Sequence, residues 1–424
     1  MNTAIIDIYN NFRDNINFRR SLIFLLPIAL IIGSAVVNFI LIIIFFVFLY
    51  DLIKTKNFYI LKYYWVIFFL ILWLYLVLLS FFSSGLDTSL KNSFSQIRFL
   101  TLALFIYQNL NLKSYTLFVS IIAACLIFVG IDNNIQFFTG LDIFGYPAEG
   151  YSFKERIFYL DGEKYHVGRL SGPFKNELIS GAFLTKLSVI VLFYPVSIFQ
   201  KLSNKNKFFF ILLVIFLLQS ILITGERTST ILFICLLLVL FFNLINLKKA
   251  LIFTTILTFF ISIFVINSNF LKYRVSSTID ILSDYNNSSY GRIANSSYQL
   301  WKKNLLFGVG LKNYRVECKD LIDPFPDHKF QYCSSHPHNT LLELLSETGI
   351  FGIILYLLFI FFFFWENIKC ISKKLKANSN GLMAFIILSL IPILPSGSLF
   401  TTWNAVFFWI ILGIYLFLAK KRKQ

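Results

Sequence analysis

The sequence predicts an all-α polytopic membrane protein with about twelve transmembrane helices and a large outward loop containing helices of its own. Three observations carry that prediction. The chain is 57% hydrophobic and only 14% charged, with a mean hydropathy of +0.74. Its apolar residues fall into long runs, and its basic residues cluster between alternate runs. Soluble domains carry about 25% charged residues, so this composition cannot cover a water-exposed surface.

A membrane-crossing helix needs about 20 mostly apolar residues. Such runs lie near 18–32, 34–50, 58–82, 93–108, 114–137, 177–199, 207–223, 228–245, 250–267, 345–366, 381–396 and 401–419. The first two form one stretch divided at Gly33-Ser34, and Arg13 to Ile32 reads as an uncleaved first span. The chain therefore divides into N-terminal spans (1–137), an outward loop (138–176), central spans (177–267), a large outward loop (268–344) and C-terminal spans (345–424).

Charge sets the orientation. Arg13, Arg19 and Arg20 precede the first run; Lys54 and Lys56, Lys113, Lys201 to Lys207, Lys248 and Lys249, and Lys369 to Lys376 follow alternate later ones. The chain closes on Lys420-Lys421-Arg422-Lys423. Twelve crossings with both termini in the cytoplasm put every cluster on the side that positive residues favour. The net charge of +17 is thus a topology signal. A nucleic-acid partner is not expected, because no basic groove with interleaved aromatics occurs.

The loop after residue 268 is too long for a simple connection. Its stretch 290–305 is amphipathic, with Ile293, Tyr298, Leu300, Trp301 and Leu305 as the apolar set, and Gly308 and Gly310 end it. Cys318 and Cys333 share this loop, where oxidation is possible; a bonded pair and two free thiols are both open. Cys125 and Cys235 lie within runs, and Cys370 lies on the cytoplasmic side.

All four histidines, His166, His328, His336 and His338, fall in the two outward loops, which places acid–base chemistry outside the cytoplasm. No phosphate loop and no dinucleotide glycine fingerprint occurs, so no nucleotide cofactor is expected and a donor would have to arrive already activated. In Ser334-Ser335-His336-Pro337-His338-Asn339-Thr340, Pro337 suits a first helical turn and Thr340 to Glu343 has capping-box spacing. The positive end of that helix disfavours an imidazolium. His338 is a candidate base; the plainer reading is a helix cap. Arg169, Arg227 and Arg292 are candidate anion ligands through their forked donors, against pairing with Glu226, lipid headgroups or a solvated helix face. Lys186, within a span, suggests an ion pair with a carboxylate such as Asp132. Asp323, Asp327 and His328 match no strong ligand spacing, so no metal is expected.

Several of these motifs together resemble the O-antigen ligase and polymerase superfamily of bacterial envelope glycan enzymes. His338-Asn339, nine residues, Gly349, two residues and Gly352 fit its ligase pattern. Gly172-Pro-Phe-Lys175-Asn176 resembles its Gly-x-Phe-x-Asn stretch. Thr224-Gly-Glu-Arg227-Thr-Ser229 resembles its Ser-Arg turn, with Glu226 where serine is common. Arg292 through Trp301 to Gly308-Val-Gly310 resembles its Arg…Trp…Gly-x-Gly segment, with Leu305 in place of a proline.

The resemblance implies a membrane-embedded helical fold of the C-type glycosyltransferase kind. It implies transfer of a glycan from undecaprenyl diphosphate to lipid A core or a related acceptor at the periplasmic face of the inner membrane. No metal or cofactor is implied, and the transfer inverts the anomeric configuration. By the same resemblance His338 is the base, and Arg227, Arg292 and Arg169 hold the diphosphate. Lys175, Asn176, Asn339 and Glu343 support the substrates. A polymerase using the same donor is the alternative, and ligases that glycosylate protein belong to the same superfamily. A transporter would need paired discontinuous spans in inverted repeats, and none is evident.

Overall fold

The computed structural model describes residues 17–56, 58–149, 151–152, 157–160, 163–165, 168–244, 248, 254–255, 259, 261–263, 265–322, 333–372, 375–391 and 395–420. Its helices are α1 (Phe18–Ile32), α2 (Ser34–Thr55), α3 (Tyr64–Ser80), α4 (Leu86–Ser95), α5 (Ile97–Asn109) and α6 (Leu112–Thr139). Then come α7 (Ser180–Phe193), α8 (Asn204–Ile223), α9 (Arg227–Leu244), α10 (Asn269–Ser283) and α11 (Ser289–Lys303). The series closes with α12 (Tyr314–Ile322), α13 (Thr340–Asn367), α14 (Lys376–Ser389) and α15 (Thr402–Ala419).

Local chemistry sets several boundaries. The Asn17 side chain accepts from the Arg20 amide at 3.0 Å and starts α1, which stops at Gly33. Asn111 and Ser114 form a reciprocal capping box at the start of α6, and Gly140 ends it at φ +83°.

Every predicted apolar run except 250–267 coincides with a helix, and that run lies largely outside the described residues. Among the described residues, six helices are long and apolar enough to cross a membrane: α2, α6, α8, α9, α13 and α15. The chain is a multi-pass membrane protein. The expectation of about twelve crossings is not reached on length, because several runs make shorter helices. The run 177–199 is α-helical only over Ser180–Phe193: Pro195 opens a 3₁₀ turn over Val196–Lys201, since proline lacks an amide hydrogen and clashes with the preceding turn.

The loop 138–176 brings an element the all-α prediction lacked. Strands β1 (Tyr151–Ser152), β2 (Ile157–Leu160) and β3 (Glu163–Tyr165) form an antiparallel sheet in the order β1-β2-β3. Phe158 lies opposite Tyr151 on one side and Tyr165 on the other.

The chain forms two compact units. The first comprises residues 1–36, 110–280 and 373–388; within it α6 packs on α1, α7 and α8, and α7 on α9. The second comprises 37–109, 281–372 and 389–424; within it α13 packs on α3 and α11, and α15 on α5.

The amphipathic stretch is α11, started by Ser288, whose hydroxyl accepts from the Gly291 amide at 3.1 Å. Ile293 and Leu300 are buried as expected, but Tyr298 and Leu305 are exposed. The helix ends at Lys303, so Leu305 lies beyond it. Its buried face is otherwise small, built from Gly291, Ser296 and Ser297. A Cβ on Gly291 would lie 1.9 Å from the Tyr285 carbonyl oxygen.

The glycines of the long motif have structural work. Helix α13 is interrupted at Gly349, with φ +63°, and the amides of Ile350 and Phe351 donate to Leu305 and Leu306 at 3.0 and 3.2 Å. A Cβ at Gly349 would meet the Leu306 oxygen at 2.3 Å, and one at Gly308 would meet the Thr348 nitrogen at 2.6 Å. Two backbones therefore touch where only glycine fits. Tyr75 of α3 donates to the Thr348 carbonyl at 2.7 Å beside this break. Gly349→Ala is expected to destabilise the protein by about 2–5 kcal/mol, from a strained φ and an overpacked contact. Thermal unfolding in detergent reads it, and an unchanged midpoint would contradict the contact.

Candidate active site

The second unit gathers the predicted base and its support. The N-cap of α13 is Asn339, not Thr340: its side chain accepts from the amides of Leu341 and Leu342 at 3.0 and 3.1 Å. The capping-box expectation for Thr340 and Glu343 is therefore corrected. The Thr340 hydroxyl instead meets Ser396 Oγ at 3.0 Å. Glu343 is buried, where its Oε2 accepts from the Leu399 amide at 2.8 Å.

His338 sits just before this cap with φ +52°, a left-handed conformation that non-glycine residues seldom adopt. Its carbonyl accepts from the Ser396 amide at 2.8 Å. Its ring lies 4.1 Å from the His336 ring and 6.3 Å from Tyr290, centroid to centroid. Arg292 lies on α11 two residues beyond Tyr290. His336 Nδ1 is 3.0 Å from Ser335 Oγ.

Burial, then the neighbouring His336, pushes the His338 pKa down to about 4, against an opposing pull from Glu343. His336 is likewise lowered to about 4 by burial and by Lys312 and Arg315. Both rings are neutral at pH 7 and can accept a proton. An unfolded chain would protonate both near 6.5 while the folded chain would not. Stability is therefore expected to be full above pH 6.5 and to fall as pH drops from about 6.5 towards 4. Unfolding midpoints across that window measure it, and the slope should shrink in His336→Phe.

Beneath the histidines lies a buried ionic group the sequence did not reveal. Lys312 Nζ is 3.7 Å from Glu343 Oε1, both side chains at least 95% buried, and it also bonds Ser398 Oγ. The Lys312 amide donates to Glu347 Oε2 at 2.9 Å. Residues 396–399 thus fasten the start of α13 at three points: the His338 carbonyl, the Thr340 hydroxyl and the Glu343 carboxylate. The sequence signal was thin: a lysine after Gly308-Val-Gly310, and serines in the turn before α15.

Cys318 and Cys333 are bonded, with Cα atoms 5.7 Å apart. The bond ties the approach to His336 and His338 to α12, whose base is buried with Ile293, Leu300, Val309 and Tyr314. His166, Asp323, Asp327 and His328 lie outside the described residues. Among the described residues, no group of three His, Cys, Asp or Glu side chains is placed to hold a metal ion.

The first unit holds a separate basic cluster. Gly172 (φ +57°) and Lys175 (φ +59°) shape the turn before α7, and Gln136 Oε1 accepts from the Gly172 amide at 2.8 Å. Lys175 and Asn176 are exposed. Arg169 Nε stands 3.8 Å from Glu149 Oε2. The next residue, Leu170, donates its amide to the Thr224 carbonyl at 3.3 Å. Arg227 donates to Ser277 Oγ rather than pairing with Glu226. Glu226 accepts from the Gly181 amide and the Ser229 hydroxyl, each at 2.8 Å. Burial pushes the Glu226 carboxyl up, while those bonds and the charges of Arg169 and Lys186 oppose the shift. The charges of Glu226 and Lys186 act on each other. Asp132 accepts from the Ile143 amide at 2.8 Å.

Residues 208–357 match the family model described as O-antigen ligase. That match covers Arg227, Arg292, Lys312, His338, Asn339 and Glu343, and the ligase-and-polymerase superfamily expected from the motifs is thereby supported. A search of curated proteins gives no match. One solved chain is similar over 86% of this chain and 99% of its own length, at 14% identity and a TM-score of 0.48. Its structure is described as "Structural coordination of polymerization and crosslinking by a peptidoglycan synthase complex".

Proposed function

We propose that this protein is a metal-independent, inverting glycosyltransferase of the bacterial inner membrane. It moves a glycan from undecaprenyl diphosphate to lipid A core or a related acceptor at the periplasmic face. The observation that carries this reading is the placement of the His338 imidazole, held at φ +52° by the Ser396 bond to its carbonyl just before the Asn339 cap, where burial favours the neutral ring. A base must be proton-free at working pH and fixed in place. In this reading His338 takes the proton of the acceptor hydroxyl as that oxygen attacks the anomeric carbon, and the diphosphate leaves from the opposite face.

Arg169 and Arg227 are assigned to phosphate oxygens of the donor, where fixed positive charge stabilises the leaving group; Arg292, on the helix that carries Tyr290, is a further anion ligand in this reading. Lys175 and Asn176 are assigned to the donor's exposed end. Glu343 and Asn339 hold His338 in place. The bond between Cys318 and Cys333 suits an oxidising compartment.

Deleting the gene and separating surface glycans by gel tests the proposal. Loss of all polymer-capped lipid A core, with lipid-linked polymer accumulating, supports a ligase. Capping by a single repeat means a polymerase. Unchanged glycans reject both.

A further inference from the structure

Helix α11 buries one face within the second unit, yet its C-terminal end leaves large apolar side chains uncovered. Beyond Leu300 the chain runs Trp301, Lys302, Lys303, Asn304, Leu305, Leu306 and Phe307. Trp301 is partly exposed, and every residue from Lys302 to Phe307 is exposed. Three consecutive large apolar side chains are unfavourable in water and mark a contact surface. The segment is also well fixed. The Asn304 amide donates to the Leu300 and Trp301 carbonyls at 3.2 and 2.9 Å. The Trp301 indole donates to the Leu305 carbonyl at 3.2 Å, and the Tyr298 ring packs on it with centroids 5.7 Å apart.

Helix α13 shows what covers this surface. Its exposed residues Phe351, Ile354, Leu357, Phe361 and Trp365 follow one another at steps of three and four, which makes one lipid-facing stripe. From Phe351 to Trp365 that stripe is about 21 Å long at 1.5 Å per residue, most of a hydrocarbon core of about 30 Å. At its far end Lys369 lies over the Trp365 ring, 5.0 Å from the centroid. An indole with a lysine beside it suits the boundary between acyl chains and headgroups.

At the near end, Phe307 packs on Phe351 with centroids 5.4 Å apart. The Ile350 and Phe351 amides hold the Leu305 and Leu306 carbonyls. The uncovered segment therefore lies where the lipid-facing stripe begins, and Trp301 with Lys302 and Lys303 repeats the indole-and-lysine chemistry of the far end. Among the described residues neither lysine pairs with a carboxylate. Exposed ammonium groups at this depth suit the phosphates of anionic lipids.

We propose that the end of α11 and residues 305–307 dock into the bilayer, with Leu305, Leu306 and Phe307 among acyl chains and Lys302 and Lys303 on anionic phospholipid headgroups. The bilayer then anchors the helix that carries Arg292 and Tyr290, the latter 6.3 Å from the His338 ring. This lipid seat holds whether or not the chain transfers glycan.

The test places a nitroxide at Leu306→Cys in the full chain in nanodiscs. The background carries Cys125→Ser, Cys235→Ser and Cys370→Ser and keeps the bond between Cys318 and Cys333. Power saturation compares collisions with oxygen, which concentrates in lipid, and with a neutral water-soluble nickel chelate. Oxygen accessibility is expected to exceed nickel accessibility several-fold, and Phe307→Cys should behave alike. Phosphatidylglycerol in place of phosphatidylcholine should lower nickel accessibility further. Lys302→Gln with Lys303→Gln should remove that dependence and leave the label in lipid.

A label open to the nickel chelate at both positions faces water and would overturn the proposal. So would a label reached by neither reagent, which means that a second copy or another protein covers the surface. A lipid dependence unchanged in the double lysine variant would overturn the headgroup contact.

Discussion

His338→Asn is expected to lower glycan transfer by roughly 10²–10⁴-fold, the range typical of removing a general base. Asparagine is chosen because it tolerates the left-handed backbone that His338 adopts at φ +52°. It keeps the turn and the Ser396 contact while removing the basic nitrogen. His338→Ala should lose as much activity, with an added loss of stability from strain. Transfer from a lipid-linked donor to purified acceptor, at matched protein levels, reads both variants. A His338→Asn protein working at the wild-type rate would end the assignment. Wild-type transfer should also be flat from pH 8 to about 5, because burial and His336 hold the His338 pKa near 4.

Lys312→Ala is expected to destabilise the second unit by about 3–5 kcal/mol, the usual effect of breaking a buried ion pair from one side. Glu343, with Lys312 3.7 Å away, would be left buried and uncompensated beside Glu347. Lysine and alanine both carry a Cβ, so the strain of φ +63° at residue 312 is common to both and cancels. Adding Glu343→Gln should recover part of the loss by removing the stranded charge. Denaturant unfolding of the single and double variants measures this. Equal stability of Lys312→Ala and wild type would show that the pair contributes nothing. Because Glu343 also holds the Leu399 amide, the single variant should disturb the segment that bonds the His338 carbonyl, and transfer should fall with it.

These two residues differ in how visible they were. His338 stood out in the sequence because its motif is continuous: a histidine, a capping residue and two glycines at helical spacing. The structure shows why the glycines are required, since Gly349 breaks α13 where the backbone of residues 305–308 crosses it. Lys312 could not be read in the same way. A lysine in a polar loop has the same composition whether it faces water or a buried carboxylate, and only the fold brings Ser398 and Glu343 to it.

By itself the sequence determined the membrane class, the order and approximate limits of the apolar helices, and the segment that carries His338. Those properties follow from hydropathy, charge clusters and caps, all of which act between near neighbours in the chain. Tertiary structure alone decided that Asn339 rather than Thr340 caps α13 and that Lys312 meets Glu343. It also decided that loop 138–176 carries a small sheet and that Tyr298 stays exposed. Each of these depends on which surfaces pack together, and a buried charge or amide takes the partner that packing leaves within reach.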